Sequence, residues 1–425
     1  MSSDDRVPLL VRAELPRKPP VTKETAREIA LLEREIVDAE VKALRASVSL
    51  LRPLYARRTA LITAKLTETD FWPRVFSHAP EEVDKFILPS DADIIGSCLR
   101  NLTVERFSVN GKGDEGEPRN LRFTFEFKTD SEVNEWFDTG ADENANASAD
   151  GIVKIVKEFY WRKSIGRSER NGRRRVWEGL VSEPVRIQWR SKEVDPTKGL
   201  LDAACNLAEA ERKVGDGKKV TVEQRLELSE YETVVTEVAK VEAEAHLHAD
   251  CSDDENNDHD HDHDEERRSG ISFFAWFGYR GRDISAEESE AAVKEDEVYW
   301  AKVARGEEVE EEKEKEEAEK EGEEEDEDDY DDDDDEDGLM NADIFPDGDE
   351  LAVALSEDLW ENALKYYVQS FEEKDDFGSD NEFDMDWMNG DDDEEGVNGD
   401  DDEEDEKKSE DENEGNRPRK KVKTS

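Results

Sequence analysis

The chain has 425 residues and a formal net charge of −58, shared unevenly: residues 306–425 hold 55 acidic against 12 basic residues, and residues 1–305 hold 62 against 47. The last part has too little apolar surface to offset its chain entropy by burial, which excludes a packed core built from it, whereas the first part has globular composition. Cys98, Cys205 and Cys251 lack CxxC spacing, no stretch reaches the roughly 18–20 apolar residues of a membrane span, and Met1–Pro20 has no apolar signal core; these point to a soluble, intracellular, reducing setting with no membrane partner.

Residues 1–21 read as a flexible, Pro-rich arm, and residues 22–69 as a long helix. Val37, Val41, Leu44, Val48, Leu51 and Tyr55 recur at alternating steps of four and three, a heptad seam continued by Ile62. Ile29, Leu32, Ile36, Leu50, Leu54 and Leu61 form a second stripe, and Pro53 inside the pattern is expected to kink the helix or remove one backbone bond. Some 45 helical residues span roughly 65–70 Å, too long for one small domain to cover. The helix either folds back on its own domain or pairs with a second copy; the seam favours pairing, with those six residues as the dimer contact.

After Phe71-Trp72-Pro73 and a short helical stretch bearing Val83, Phe86 and Ile87, the period changes to two. Leu121, Phe123, Phe125 and Phe127 alternate with Arg122, Thr124, Glu126 and Lys128, a half-buried strand. Leu102–Val109 precedes it across a Gly-rich turn. Val153, Ile155, Phe159 and Trp161 mark a third strand, and Val185, Ile187 and Trp189 a fourth. The expected fold class is α+β: a long helix, then a domain over 70–305 with an antiparallel sheet. Within it, residues 199–269 read as an insertion or flexible arm, and Ile271–Tyr279 as a packed aromatic cluster. Residues 306–348 are an acidic disordered run, 349–371 return to helical spacing as a segment packing on the domain, and 372–425 are an acidic tail with a basic end.

Three segments together resemble the nucleosome assembly protein family. They are Leu51–Leu66 with Asp70–Phe76 and the strand Leu121–Lys128; Ser272–Phe277; and Asp358–Tyr367. Ile187-Gln188-Trp189-Arg190-Ser191-Lys192 and the Phe-Phe-x-Trp-Phe run are similar to its SET, or template-activating-factor, branch. Glu361 and Ala363 stand where that family's pattern has prolines. The resemblance implies a homodimer joined by antiparallel long helices, with an α/β "earmuff" domain at each end. It implies a non-enzymatic histone chaperone that binds core histones and promotes nucleosome assembly and disassembly, nuclear and able to shuttle to the cytoplasm. The SET branch further implies double-stranded DNA contact, inhibition of a serine/threonine phosphatase, and dealings with an acetyltransferase.

The acids have a direct physical reading. Glu307–Asp337 carries 24 acids against three lysines. Such a run extends by self-repulsion, attracts polycations and loses affinity with salt. Glu323, Glu324, Glu325, Asp326 and Asp331, Asp332, Asp333, Asp334, Asp335 are its densest stretch and the candidate histone-binding residues. A basic block runs the other way, with Arg173, Arg174, Arg175, Arg190 and Lys192 among Trp161, Trp177 and Trp189. It either contacts DNA phosphate or neutralises the protein's own acids. Arg417, Arg419, Lys420, Lys421 and Lys423 form a compact nuclear-import cluster. His259, His261 and His263 alternate with aspartates and read as a solvated loop before a metal site. No cofactor, metal or catalytic constellation is expected.

Overall fold

The computed structural model describes residues 21–66, 69–129, 134–138, 147–148, 151–167, 174–215, 219–249, 270–307 and 339–372. Thr22 caps the first helix, α1 (Lys23–Leu61), its hydroxyl accepting from the Thr25 amide at 3.2 Å; the helix passes through Pro53 and ends in a wider turn, Ile62–Leu66. Three short helices follow: α2 (Phe71–Phe76), α3 (Glu81–Asp84) and α4 (Pro89–Cys98). Strands β1 (Leu99–Glu105), β2 (Leu121–Lys128), β3 (Ala147–Ser148), β4 (Ile152–Arg167) and β5 (Arg174–Ser182) form one antiparallel sheet. Its order is β1-β2-β4, with β3 and β5 both on the far side of β4.

Register follows the period-two pattern. Phe123, Phe125 and Phe127 are fully buried, and Leu121 faces Phe159 across the ladder. Where the sequence suggests a polar loop from Ser164, β4 instead continues to Arg167, and its partner is Arg174–Ser182. Val185–Trp189, expected as a strand, makes only one bridge, Phe137 to Trp189. The sequence hides this pairing because arginines and a lysine interrupt the apolar residues of the ribbon at Arg162, Lys163, Arg167, Arg174 and Arg175.

The inward face of the sheet receives the tight turn Phe273–Gly278, all six residues of which are buried. Phe273 and Phe277 meet Phe125 at 6.1 and 5.5 Å, and Trp276 stacks on Phe159 at 5.2 Å between ring centres. Asp91 anchors the start of this turn, accepting from the Ser272 hydroxyl at 2.5 Å and the Phe273 amide at 2.8 Å. Lys157 anchors its end. It occupies the inward row of β4 between Ile155 and Phe159, fully buried, and donates to the carbonyls of Glu183, Phe277 and Tyr279 at 2.8, 3.0 and 2.7 Å.

The helices between Leu200 and Val241 are part of this core, not an arm beside it. Helix α5 (Leu200–Gly215) buries Leu200, Leu201, Ala203, Ala204, Cys205, Leu207 and Ala208. After α6 (Val222–Leu226), α7 (Ser229–Ala249) buries Tyr231, Val234 and Val241. A buried ionic network locks them in place: Glu211 of α5 binds Arg225 at 2.7 Å and Arg280 at 2.8 Å, and Arg225 binds Asp283 at 2.6 Å. The alanine-rich face of α5 escapes a search for large apolar residues.

Helix α8 (Ala286–Ala304) crosses the β4–β5 ribbon. The final described stretch carries α9 (Gly348–Val353), a wide turn Ala354–Leu359, and α10 (Ala363–Gln369). Trp276 donates to the Gly348 carbonyl at 2.7 Å, Trp360 stacks parallel on Trp72 at 5.7 Å, and Tyr367 lies against Phe71 at 4.7 Å. Residues 339–372 therefore belong to the core.

The placement of α5 gives a direct test. Leu207→Ala removes a buried side chain from a packed site and should lower unfolding free energy by about 2–5 kcal/mol in urea titrations followed by circular dichroism. A loose arm would lose nothing.

Candidate interaction surfaces

Helix α1 presents two apolar faces with different fates. Val41, Leu44, Val48, Leu51 and Tyr55 are half-buried and look toward the chain's own sheet; Val37 is exposed. They do not pack tightly there. Leu44, Val48, Leu51 and Tyr55 line a cavity of about 370 Å³ shared with Val104, Phe107 and Trp360. Val37 and Val41 line a groove of about 880 Å³ against the β4–β5 ribbon and α8.

Arginines bridge the gap. Arg34 reaches Asp296 at 2.8 Å, Arg45 the Gly116 carbonyl at 2.7 Å, Arg52 the Val109 carbonyl at 3.0 Å, and Arg58 the Trp360 carbonyl at 2.6 Å. Arg58 also stacks over the Trp360 ring at 4.1 Å. The 110–120 loop comes so close that a Cβ on Gly113 would meet the Ser49 hydroxyl at 2.8 Å.

The second stripe is uncovered. Ile29, Leu32, Ile36, Leu50, Leu54 and Leu61 are 42–71% exposed. Ala39, Ala43 and Ala46, also exposed, fill the gap between them. Counted together, positions 29, 32, 36, 39, 43, 46, 50, 54, 57 and 61 make an unbroken run of three- and four-residue steps, interrupted only by Arg57. Treating alanine as apolar would have revealed this run in the sequence. An exposed apolar stripe of this length is longer than the scattered single apolar residues usual on a helix surface.

The basic block divides into two neighbourhoods. Arg174 binds Asp296 at 2.6 Å and lies over the Tyr299 ring at 4.3 Å, so its charge is used inside the fold. Asp296 also holds Lys163 at 2.6 Å and Arg34, joining α1, β4, β5 and α8 at one carboxylate. Burial alone would raise that carboxyl, but its bonds to Lys163, Arg34 and Arg174 prevail and bring it down to about 2. Arg175 follows on β5, and Arg173 lies outside the described residues. Arg190 and Lys192 are exposed in the loop beyond β5, where Lys192 shares a groove with Asp93, Glu193, Asp195, Asp202 and Glu237. The tryptophans are engaged too: Trp161 under Arg119 at 4.2 Å, Trp177 under Arg282 at 5.3 Å, and Trp189 on Phe137 at 5.4 Å.

The acidic residues Glu323–Asp326 and Asp331–Asp335, the import cluster Arg417–Lys423, the histidines 259, 261 and 263, and Cys251 lie outside the described residues. Among the described residues no group of His, Cys, Asp and Glu is placed to hold a metal, and no helix is long and apolar enough to cross a membrane. Burial pushes the Cys98 and Cys205 thiols up to about 11, which leaves both inert.

No protein-family model matches the chain. A protein of Schizosaccharomyces pombe described as "Putative nucleosome assembly protein" is 27% identical over 162 residues, which is 38% of this chain and 56% of the relative. The match thus spans little more than half of the relative's length. Two solved structures described as "Crystal structure of Ccp1" and "Crystal structure of Ccp1 mutant" align with TM-scores of 0.39. The first is 21% identical and covers 83% of this chain and 97% of that one; the second is 20% identical and covers 82% and 95%.

The Asp296 cluster makes a pH-dependent prediction. Its folded pKa lies below the ordinary 3.8, so the stability it contributes is present above about pH 4 and is lost as pH falls toward 2. Asp296→Asn should cost about 2–3 kcal/mol near neutrality, less than a fully buried pair because its partners keep some water contact. Acid titrations of the variant should show a flatter limb between pH 4 and 2; an unchanged limb would mean the cluster contributes nothing.

Proposed function

We propose, on the premise that the chain belongs to the nucleosome assembly protein family, that it acts as a histone chaperone by binding alone. The kinship to a nucleosome assembly protein carries this reading, and two features of the chain support it. One is the acid: a run of this density competes with DNA phosphate for basic histone surfaces, with fast, salt-sensitive association. The other is the uncovered stripe on α1, which suits a homodimer.

The stripe is palindromic. When two copies of α1 run antiparallel about a point near residue 45, Ile29 comes opposite Leu61, Ile36 opposite Leu54, Ala39 opposite Leu50, and Ala43 opposite Ala46. Leu32 faces Arg57, whose long stem covers apolar surface while its head stays wet. Large side chains at both ends and alanines at the centre let the helices approach closely at the two-fold axis. We put pairing here rather than on Val37, Val41, Leu44, Val48, Leu51 and Tyr55 because those residues line the cavity and the groove against the chain's own domain. In this reading Glu323–Asp326 and Asp331–Asp335 meet the histones, and Arg417–Lys423 directs the protein to the nucleus.

Two experiments check the reading. Ile36→Asp with Leu54→Asp puts facing charges into the pairing stripe, each costing several kcal/mol when desolvated. Sedimentation should then show a monomer with unchanged circular dichroism; a persistent dimer refutes the register. The acids must be tested without touching residues 339–372, since removing everything after residue 305 strips Trp360 and its neighbours from the core. Changing Glu323–Asp326 and Asp331–Asp335 to Gln and Asn should weaken core-histone binding and reduce its salt dependence. Equal affinity at physiological salt would remove the acids from the mechanism.

A further inference from the structure

The groove beneath the first half of α1 is open and has a partly apolar floor. Val37 and Val41 of α1, Trp161 and Val176 of the ribbon, and Val293 and Trp300 of α8 converge on it. Val37, Val176 and Val293 are each more than 40% exposed. Three elements turning apolar side chains to one open groove need a cover.

We infer that the cover is the N-terminal arm of the same chain, with Val7-Pro8-Leu9-Leu10-Val11 seated in the groove. Reach permits it. The described residues begin at Val21, and the groove begins at Ala30, about 14 Å further along the helix axis at 1.5 Å per residue. The nine residues between Val11 and Val21 span at most about 30 Å, which reaches past Ala30 and Val37 to about Val41.

Charge favours the same occupant. Residues 6–18 carry Arg6, Arg12, Arg17 and Lys18 against the single Glu14, a basic stretch in a chain of net −58. In the groove, Arg34, Lys163 and Arg174 are held by Asp296, and Arg119 by Glu117 and Glu178. Glu290 pairs with Lys294 at 3.9 Å, Arg45 donates to the Gly116 carbonyl at 2.7 Å, and Arg162 lies over the Tyr160 ring at 4.9 Å; Glu33, Asp38 and Glu297 complete the lining as exposed acids. The arm thus brings apolar residues to the valine and tryptophan floor and cations to these three acids. This inference stands apart from histone binding.

The test uses the full chain with Cys251→Ser, leaving the buried Cys98 and Cys205 as the remaining native thiols. Leu10→Cys and Val293→Cys are added together, and oxidised glutathione is supplied. A disulfide within one chain is expected, forming faster than between Leu10→Cys and a control Leu364→Cys on α10. In the Val293→Cys protein alone, maleimide labelling should rise about tenfold when Leu9→Asp and Leu10→Asp open the groove. Equal labelling with and without those changes overturns the proposal. A disulfide joining two chains overturns it in favour of a second copy, and protection that arises only on adding core histones overturns it in favour of the client.

Discussion

One indole holds this fold closed. Trp276 is fully buried, its ring against Phe123, Phe125 and Phe159, and its proton on the Gly348 carbonyl. Through it the sheet, the turn after α7 and the C-terminal helices share one core, although they lie far apart in sequence. The polar ends of the turn are satisfied with equal care. Asp91 receives the first amide and Lys157 collects the last carbonyls, so both ends of a tight turn in an apolar layer have polar partners. Burial lowers the Lys157 ammonium to about 7, yet its three carbonyl partners favour the charged form.

The long helix is attached in a different way. Apolar packing would seal it to the domain, but the structure places a cavity and a groove there and spans them with Arg34, Arg45, Arg52 and Arg58. Three of these four bonds end on backbone carbonyls. They fix the position of α1 and add less apolar burial than close packing would. The opposite stripe, from Ile29 to Leu61, stays exposed.

What the sequence made legible follows from period and size. The β2 alternation, the length of α1 and the aromatic cluster all show as large apolar residues at regular spacing. Residues 200–249 did not, because α5 buries alanines and pays for one glutamate with two arginines. Lys157 did not, because a lysine in an inward row breaks the alternation that identifies the row. Arg174 looked like surface charge because its partner, Asp296, lies more than a hundred residues away. Charge partners at long range leave no local pattern, so a basic block cannot be sorted into structural and free cations before the fold is known.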